Sequence, residues 1–149
     1  MRILGIDHGD KRIGLAISDA LQITAQPLGV HQVTNKKADK KYFVQLASDY
    51  KIEKIVLGLP LRMDGTSGNR VKITKTFANW LEGFLDIPII FWDERLTTKQ
   101  ATQVLIQHNV KGKAKQNFKD TISAVIILSS YMESQRNRER ENPYDAKVD

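Results

Sequence analysis

Apolar and polar positions along this chain change period several times, and each change marks a predicted element. Residues 2–7 and 12–19 are short, mostly apolar runs on either side of His8-Gly9-Asp10, and they read as two strands joined by a tight turn. Gly9 is expected to give that turn its backbone freedom. The run "LGVHQV", 28–33, reads as a third strand, so the chain is expected to open with an antiparallel meander. The period then becomes helical: Tyr42, Phe43, Leu46, Ala47 and Tyr50 share one face of a helix over about 38–50. "KIVLGL", 54–59, is a nearly continuous apolar run, as in a strand covered on both faces.

Val71, Thr74, Phe77, Ala78, Leu81 and Leu85 predict a second helix that ends before Pro88. "IPIIFW", 87–92, predicts another buried strand, with Asp93 and Glu94 just past it. Thr97 or Thr98 is placed to cap a third helix with Ala101, Val104, Leu105 and His108 inward. A lysine-bearing loop follows. Phe118 to about Arg136 reads as a long last helix, with Ile122, Val125, Ile126, Ser129 and Met132 turned to the core.

Three antiparallel strands followed by βα units imply an α/β fold, a mixed sheet with helices on both faces. One domain over 1–136 is expected, followed by a disordered tail, because "NRERENPYDAKVD", 137–149, has little apolar content to pack. Composition changes this picture little. The chain is 41% hydrophobic and 27% charged, which is ordinary for a globular domain. No apolar run approaches the roughly 20 residues that span a bilayer. The first residues already read as strand, so no signal peptide and no membrane partner are expected, and the cytoplasm is the expected location. Without cysteine there is no disulfide, thiolate metal site or thiol nucleophile.

Net charge of +6 favours polyanions, and its distribution sharpens that. Lys36, Lys37, Lys40 and Lys41 form one cluster, and Lys111, Lys113, Lys115 and Lys119 another, with no acid among residues 110–119. Lys11, Arg12, Arg62 and Arg70 join them as candidate phosphate contacts, and Arg95 as a contact or as a partner for the acids beside it.

In an open α/β sheet, ligands gather beyond the carboxyl ends of the parallel strands. Asp7, Asp93 or Glu94, and Asp120 are the acids placed for that edge. Asp7 ends an apolar strand, where an unpartnered carboxylate is costly. Asp93 and Glu94 also fit loop acids paired with Arg95, and Asp120 fits the first turn of the last helix, favoured by the macrodipole. Three carboxylates converging on one point repel each other unless a cation holds them, and an all-carboxylate set suits Mg²⁺ or Mn²⁺. "GLPLRMDGTSGNR", 58–70, has the composition of a phosphate-meeting loop without being a P-loop, and Asp64 within it suits a turn. His8, His31 and His108 show no zinc spacing, and Trp80 and Trp92 suit the core better than base stacking.

Four blocks, "GIDHGDKRIGLAISD" (5–19), "VLGLPLRMDGTSG" (56–68), "FWDERLTT" (91–98) and "KDTISAVIIL" (119–128), resemble in order and spacing the YqgF family. These are bacterial RNase H-like proteins described as candidate Holliday-junction resolvases and as candidate nucleases maturing the 5′ end of pre-16S rRNA. The resemblance covers about residues 2 to 135. It implies an RNase H-like fold with a five-stranded mixed sheet in order 3-2-1-4-5, and a Mg²⁺-dependent nuclease site. It maps the catalytic and metal-binding carboxylates to Asp7, to Glu94 rather than Asp93, and to Asp120. One departure is Ser123-Ala124, where the family often has two alanines; both residues are small, so close helix packing is kept.

The expected function is therefore metal-dependent hydrolysis of phosphodiester bonds in structured RNA or branched DNA. A non-catalytic nucleic-acid-binding module of the same fold is the alternative. An actin-like ATPase shares such a sheet and opening hairpin but needs two domains, and this length supplies one. Resolving a symmetric junction would favour a homodimer, whereas trimming one RNA end requires only a monomer.

Overall fold

The computed structural model describes residues 1–61, 68–96 and 112–141, with 112–118 given by backbone alone. The chain opens with β1 (Arg2–His8), β2 (Arg12–Ser18) and β3 (Ala25–Gln32), then α1 (Lys36–Asp49), β4 (Ile52–Leu59), α2 (Asn69–Glu82) and β5 (Ile89–Asp93). A 3-10 turn over Glu94–Leu96 follows β5, and the last helix, α3, is Gly112–Glu141. The five strands form one sheet in the order β3-β2-β1-β4-β5. β1 pairs antiparallel with β2 and parallel with β4, β2 pairs antiparallel with β3, and β4 pairs parallel with β5. The opening meander and the mixed sheet are as the hydrophobic pattern predicts.

The core has two layers because strand side chains alternate across the sheet. Leu4, Ile6, Leu15, Ile55 and Leu57 face α1 and α2, where Phe43, Leu46, Phe77, Ala78 and Leu81 cover them. Ile3, Ala16 and Val56 face α3, against Ala124, Ile127, Leu128 and Tyr131. Each fully buried side chain of this kind contributes about 1.5–3 kcal/mol from leaving water. α1 starts where Asn35 accepts a hydrogen bond from the Ala38 N–H, an N-cap of the expected chemistry.

Five expectations are corrected. β5 is the edge strand: none of its residues is fully buried and Phe91 is exposed, so its apolar run marks a half-covered edge. α3 begins at Gly112, not near Phe118, so from that point the lysine stretch is helix rather than loop; Lys, Ala and Gln there are good helix formers whatever their polarity. α3 also continues to Glu141 through residues expected to be tail, since "RNRERE" loses the apolar stripe but keeps helix-forming side chains. Its inner face is Thr121, Ala124, Ile127, Leu128, Tyr131 and Met132, rotated from the predicted one. The helix lies so close to the sheet that glycines, Gly5, Gly14 and Gly58, stand beneath it, and that contact chooses its face. Gly9, finally, has no positive φ; a Cβ there would stand 2.4 Å from the Arg12 carbonyl oxygen, so it is space that the turn requires. The predicted helix after Thr97 and Thr98, Asp64, His108 and residues 142–149 lie outside the described residues.

Candidate functional site

The carboxyl ends of β1 and β5 carry the acids, and α3 crosses over them. Alternation along β1 turns Ile3, Gly5 and Asp7 toward α3, and Leu4, Ile6 and His8 toward α1 and α2. Asp120 sits over two turns inside α3, so the helix terminus is not what places an acid there. Two glycines seat the acids. Gly14, the cross-strand partner of Asp7, lies directly under Asp120: a Cβ at Gly14 would stand 2.1 Å from the Asp120 carbonyl oxygen. A Cβ at Gly58 would stand 2.5 Å from Ile127 Cδ1 and 3.2 Å from Glu94 Oε1. A glycine inside an apolar strand signals such close approach, and both positions are legible in that sense.

Glu94 is positioned through α3. Trp92 Nε1 donates to Ser130 Oγ at 3.1 Å, and Ser130 Oγ donates to the Leu96 carbonyl at 3.3 Å, so one serine holds the chain on both sides of Glu94. No feature of the sequence marks Ser130.

The electrostatics tie the three acids together. Burial pushes the Asp7 carboxyl up, the nearby charges of Glu94 and Asp120 push it further, and Arg70 opposes them; the result is about 7. Glu94 is also raised, first by burial, with Arg70 and the Asp7 hydrogen bond opposing. Asp7 and Glu94 thus share one hydrogen bond, with Asp7 the proton holder. Asp120 is drawn toward Arg12, whose Nε donates to its Oδ2 at 3.0 Å. Among the described residues, no three acid or histidine side chains already stand in a geometry that would grip one ion. The donor chemistry nevertheless fits a divalent cation: oxygen ligands only, in mutual repulsion, two of them joined by a proton.

Asp93 is set apart from this group. Arg95 Nε donates to both its oxygens at 3.0 Å and Arg95 Nη2 to Oδ2 at 2.6 Å, which holds its carboxyl below the usual range. The sequence alternative of a loop acid paired with Arg95 therefore describes Asp93, and Glu94 is the one that reaches Asp7.

Three of the arginines expected to meet phosphate are engaged with the protein. Arg12 holds Asp120 and Arg95 holds Asp93, while Arg70 Nη1 donates to Asp10 at 2.7 Å and its Nη2 to the His8 carbonyl. Arg70 Nη2 also lies 3.0 Å from His8 Nδ1. Burial and then the Arg70 charge push His8 down to about 4, so the ring is neutral at pH 7 and Nδ1 accepts. Lys11 is exposed at the β1–β2 turn. Arg62, Lys111 and the side chains of Lys113 and Lys115 lie outside the described residues.

Comparison with known proteins places this geometry. A family model described as RuvX, Holliday junction resolvase, matches residues 1–134. A protein of Syntrophomonas wolfei named as a candidate pre-16S rRNA nuclease is 44% identical over 133 residues, 89% of this chain and 94% of its own. Among solved structures, the chain is similar to the yeast mitochondrial Holliday junction resolvase Ydc2, with TM-score 0.59, 12% identity, and 95% and 82% of the two chains covered. It is also similar to T. thermophilus RuvC in complex with a Holliday junction substrate, with TM-score 0.57, 13% identity, and 91% and 96% covered. At such identities the structures establish the fold, the RNase H-like architecture with strand order 3-2-1-4-5.

Proposed function

The chain belongs to the RuvX Holliday junction resolvase family, and from that premise we propose that it is a divalent-metal-dependent nuclease of structured nucleic acid. Its substrate is the 5′ end of pre-16S rRNA, a Holliday junction, or both, and its place of work is the cytoplasm. The observation that carries this reading is the meeting of Asp7 and Glu94 in one hydrogen bond, with Asp120 near enough to act on Asp7. Asp7, Glu94 and Asp120 would hold Mg²⁺ or Mn²⁺. An ion there would supply a nucleophilic water at neutral pH and stabilise the leaving oxygen.

The chain's own residues do the rest. Arg12 aims Asp120 from β2, and Gly14 lets α3 come low enough for that pairing. Arg70 lies close enough to act on both Asp7 and Glu94, so it offsets part of their charge when a phosphate approaches. Lys11 and the lysines of the 111–119 stretch would neutralise phosphates, a contribution that weakens as salt rises.

The test is cleavage of a four-way DNA junction and of a 5′-extended ribosomal RNA precursor, with Mg²⁺, Mn²⁺ or EDTA. Asp7→Asn is expected to lose about 10³-fold or more in rate, the several kcal/mol that metal-assisted hydrolysis supplies. Cleavage that persists in EDTA or in the variant would overturn the metal-carboxylate site. Salt-dependent binding with no cleavage of either substrate would make the chain a binding module.

A further inference from the structure

On the other face of the sheet from the acids, α1 and α2 enclose a hollow of about 230 Å³ at the carboxyl end of β1. Its floor is aromatic: Phe43 and Phe77 are buried, and Phe77 stacks on His8 at 4.2 Å between ring centres. Trp80 and Val33 form its sides, and the exposed Lys36 and Thr76 its rim. The one acid among the described lining residues, Asp39, accepts hydrogen bonds from Thr34 N and Thr34 Oγ1 and shares a 2.7 Å contact with His31 Nε2, so its charge is compensated from within. Trp80 packs against the core as its apolar setting predicts but is only partly buried, at the edge of the aromatic cluster and open to this hollow.

We infer that this hollow is a subsite for one unpaired nucleobase of the substrate strand. The inference rests on the nucleic-acid reading above and adds which part of the strand is held away from the acids. Size sets the class: the space falls below the ~300 Å³ where pockets for drug-sized ligands begin, so it takes a single heterocycle and not a base pair. Chemistry agrees, since aromatic walls accept any base face and a lysine at the rim favours a polyanion.

Position agrees as well. Asp7 and His8 are consecutive and face opposite sides of the same sheet edge. A strand laying a phosphate at Asp7 and crossing that edge brings the adjoining base over His8. Arg70 bridges the two sides, bonded to His8 and Asp10 while its charge acts on Asp7 and Glu94. Substrates carrying an unpaired nucleotide beside the cleaved bond, such as a junction crossover or a single-stranded extension, are therefore favoured over continuous duplex, where the base must first be unstacked.

The test measures binding in the Asp7→Asn background, which avoids cleavage. Anisotropy titrations use a hairpin with a 5′ single-stranded extension, with an abasic site introduced at each unpaired position in turn. One position is expected to be sensitive, losing about tenfold in affinity, in line with one base stack. Adding Thr76→Trp, an exposed site whose new ring fills the hollow, should make the intact and abasic oligonucleotides bind alike. Salt-dependent binding with no sensitive position would overturn the subsite and leave the nucleic-acid reading standing. Loss of all salt-dependent binding would overturn both. Sedimentation without oligonucleotide completes the test: a dimer that Thr76→Trp turns into a monomer would assign the hollow to a second copy of the chain and overturn the proposal.

Discussion

Asp7 and Asp39 are both drawn into the protein, on opposite faces of one sheet, and their surroundings move them in opposite directions. Burial raises the carboxyl in each case. At Asp39 the hydrogen bonds from His31 and from the Thr34 N–H and hydroxyl outweigh it, and the group ends below its ordinary value. At Asp7 the neighbours are Glu94 and Asp120, which act in the same direction as burial, and the group ends near 7. The difference is in what the chain supplies. The Asp39 cluster is closed, with donors for its charge. The Asp7 cluster gathers three acids against two arginines, Arg12 on Asp120 and Arg70 near Asp7 and Glu94, and Asp7 stays raised despite them, which is how a binding site differs from a structural knot.

The largest effect that would break this comparison is on stability. The folded Asp7 holds its proton up to about pH 7, against an ordinary value of 3.8. Its contribution is therefore fully present below about pH 4 and is lost as pH rises to 7. A shift of this size corresponds to on the order of 4 kcal/mol, brought down to a few by solvent reaching part of the group. In EDTA, Asp7→Asn should be more stable than the parent at pH 8 by that amount and equal to it at pH 3.5. Urea unfolding at the two pH values measures it. A parent that outlasts the variant at pH 8 would mean that the acids do not crowd each other.

Asp39→Asn should do the opposite. Its lowered carboxyl contributes stability above its ordinary value, and that contribution is lost as pH falls through the folded one. Removing the charge leaves buried donors poorly matched, at a cost of about 1–3 kcal/mol at pH 7 that shrinks in acid. The same unfolding series reads both variants, and two curves of the same sign would erase the contrast between the clusters.

What the sequence reveals follows the same division. Alternation and helical period locate the strands, α1 and α2, because those signals are local. Asp7 stands out locally too, as an acid closing an apolar strand. The register of α3 does not, because its face is chosen by how closely the helix approaches Gly14 and Gly58, a contact between distant parts of the chain. The choice between Asp93 and Glu94 is likewise invisible to spacing. It comes from the family resemblance, and in the fold it is Arg95 on one acid and Asp7 beside the other that separate them. The polar ends of α3 mislead because the amphipathic stripe fades before helix propensity does.

The smallest effect sharpens the comparison most. Around Asp39 the donors touch the acid itself, whereas around the acid cluster Ser130 touches Trp92 and the Leu96 carbonyl and leaves the intervening Glu94 to face Asp7. The Ser130 hydrogen bonds hold the frame around Glu94 and not its carboxylate. Ser130→Ala removes two modest bonds, about 1 kcal/mol net, and should lower the melting temperature by a few degrees. Its functional mark should be a rise of a few fold in the Mg²⁺ concentration needed for half-maximal cleavage, with the rate largely recovered at saturating Mg²⁺, because Glu94 is looser but still present. Restoring a hydroxyl with Ser130→Thr should return the Mg²⁺ dependence toward the parent. A lowered melting temperature with an unchanged Mg²⁺ dependence would show that Ser130 merely packs α3 against β5, and that Glu94 is held by other contacts.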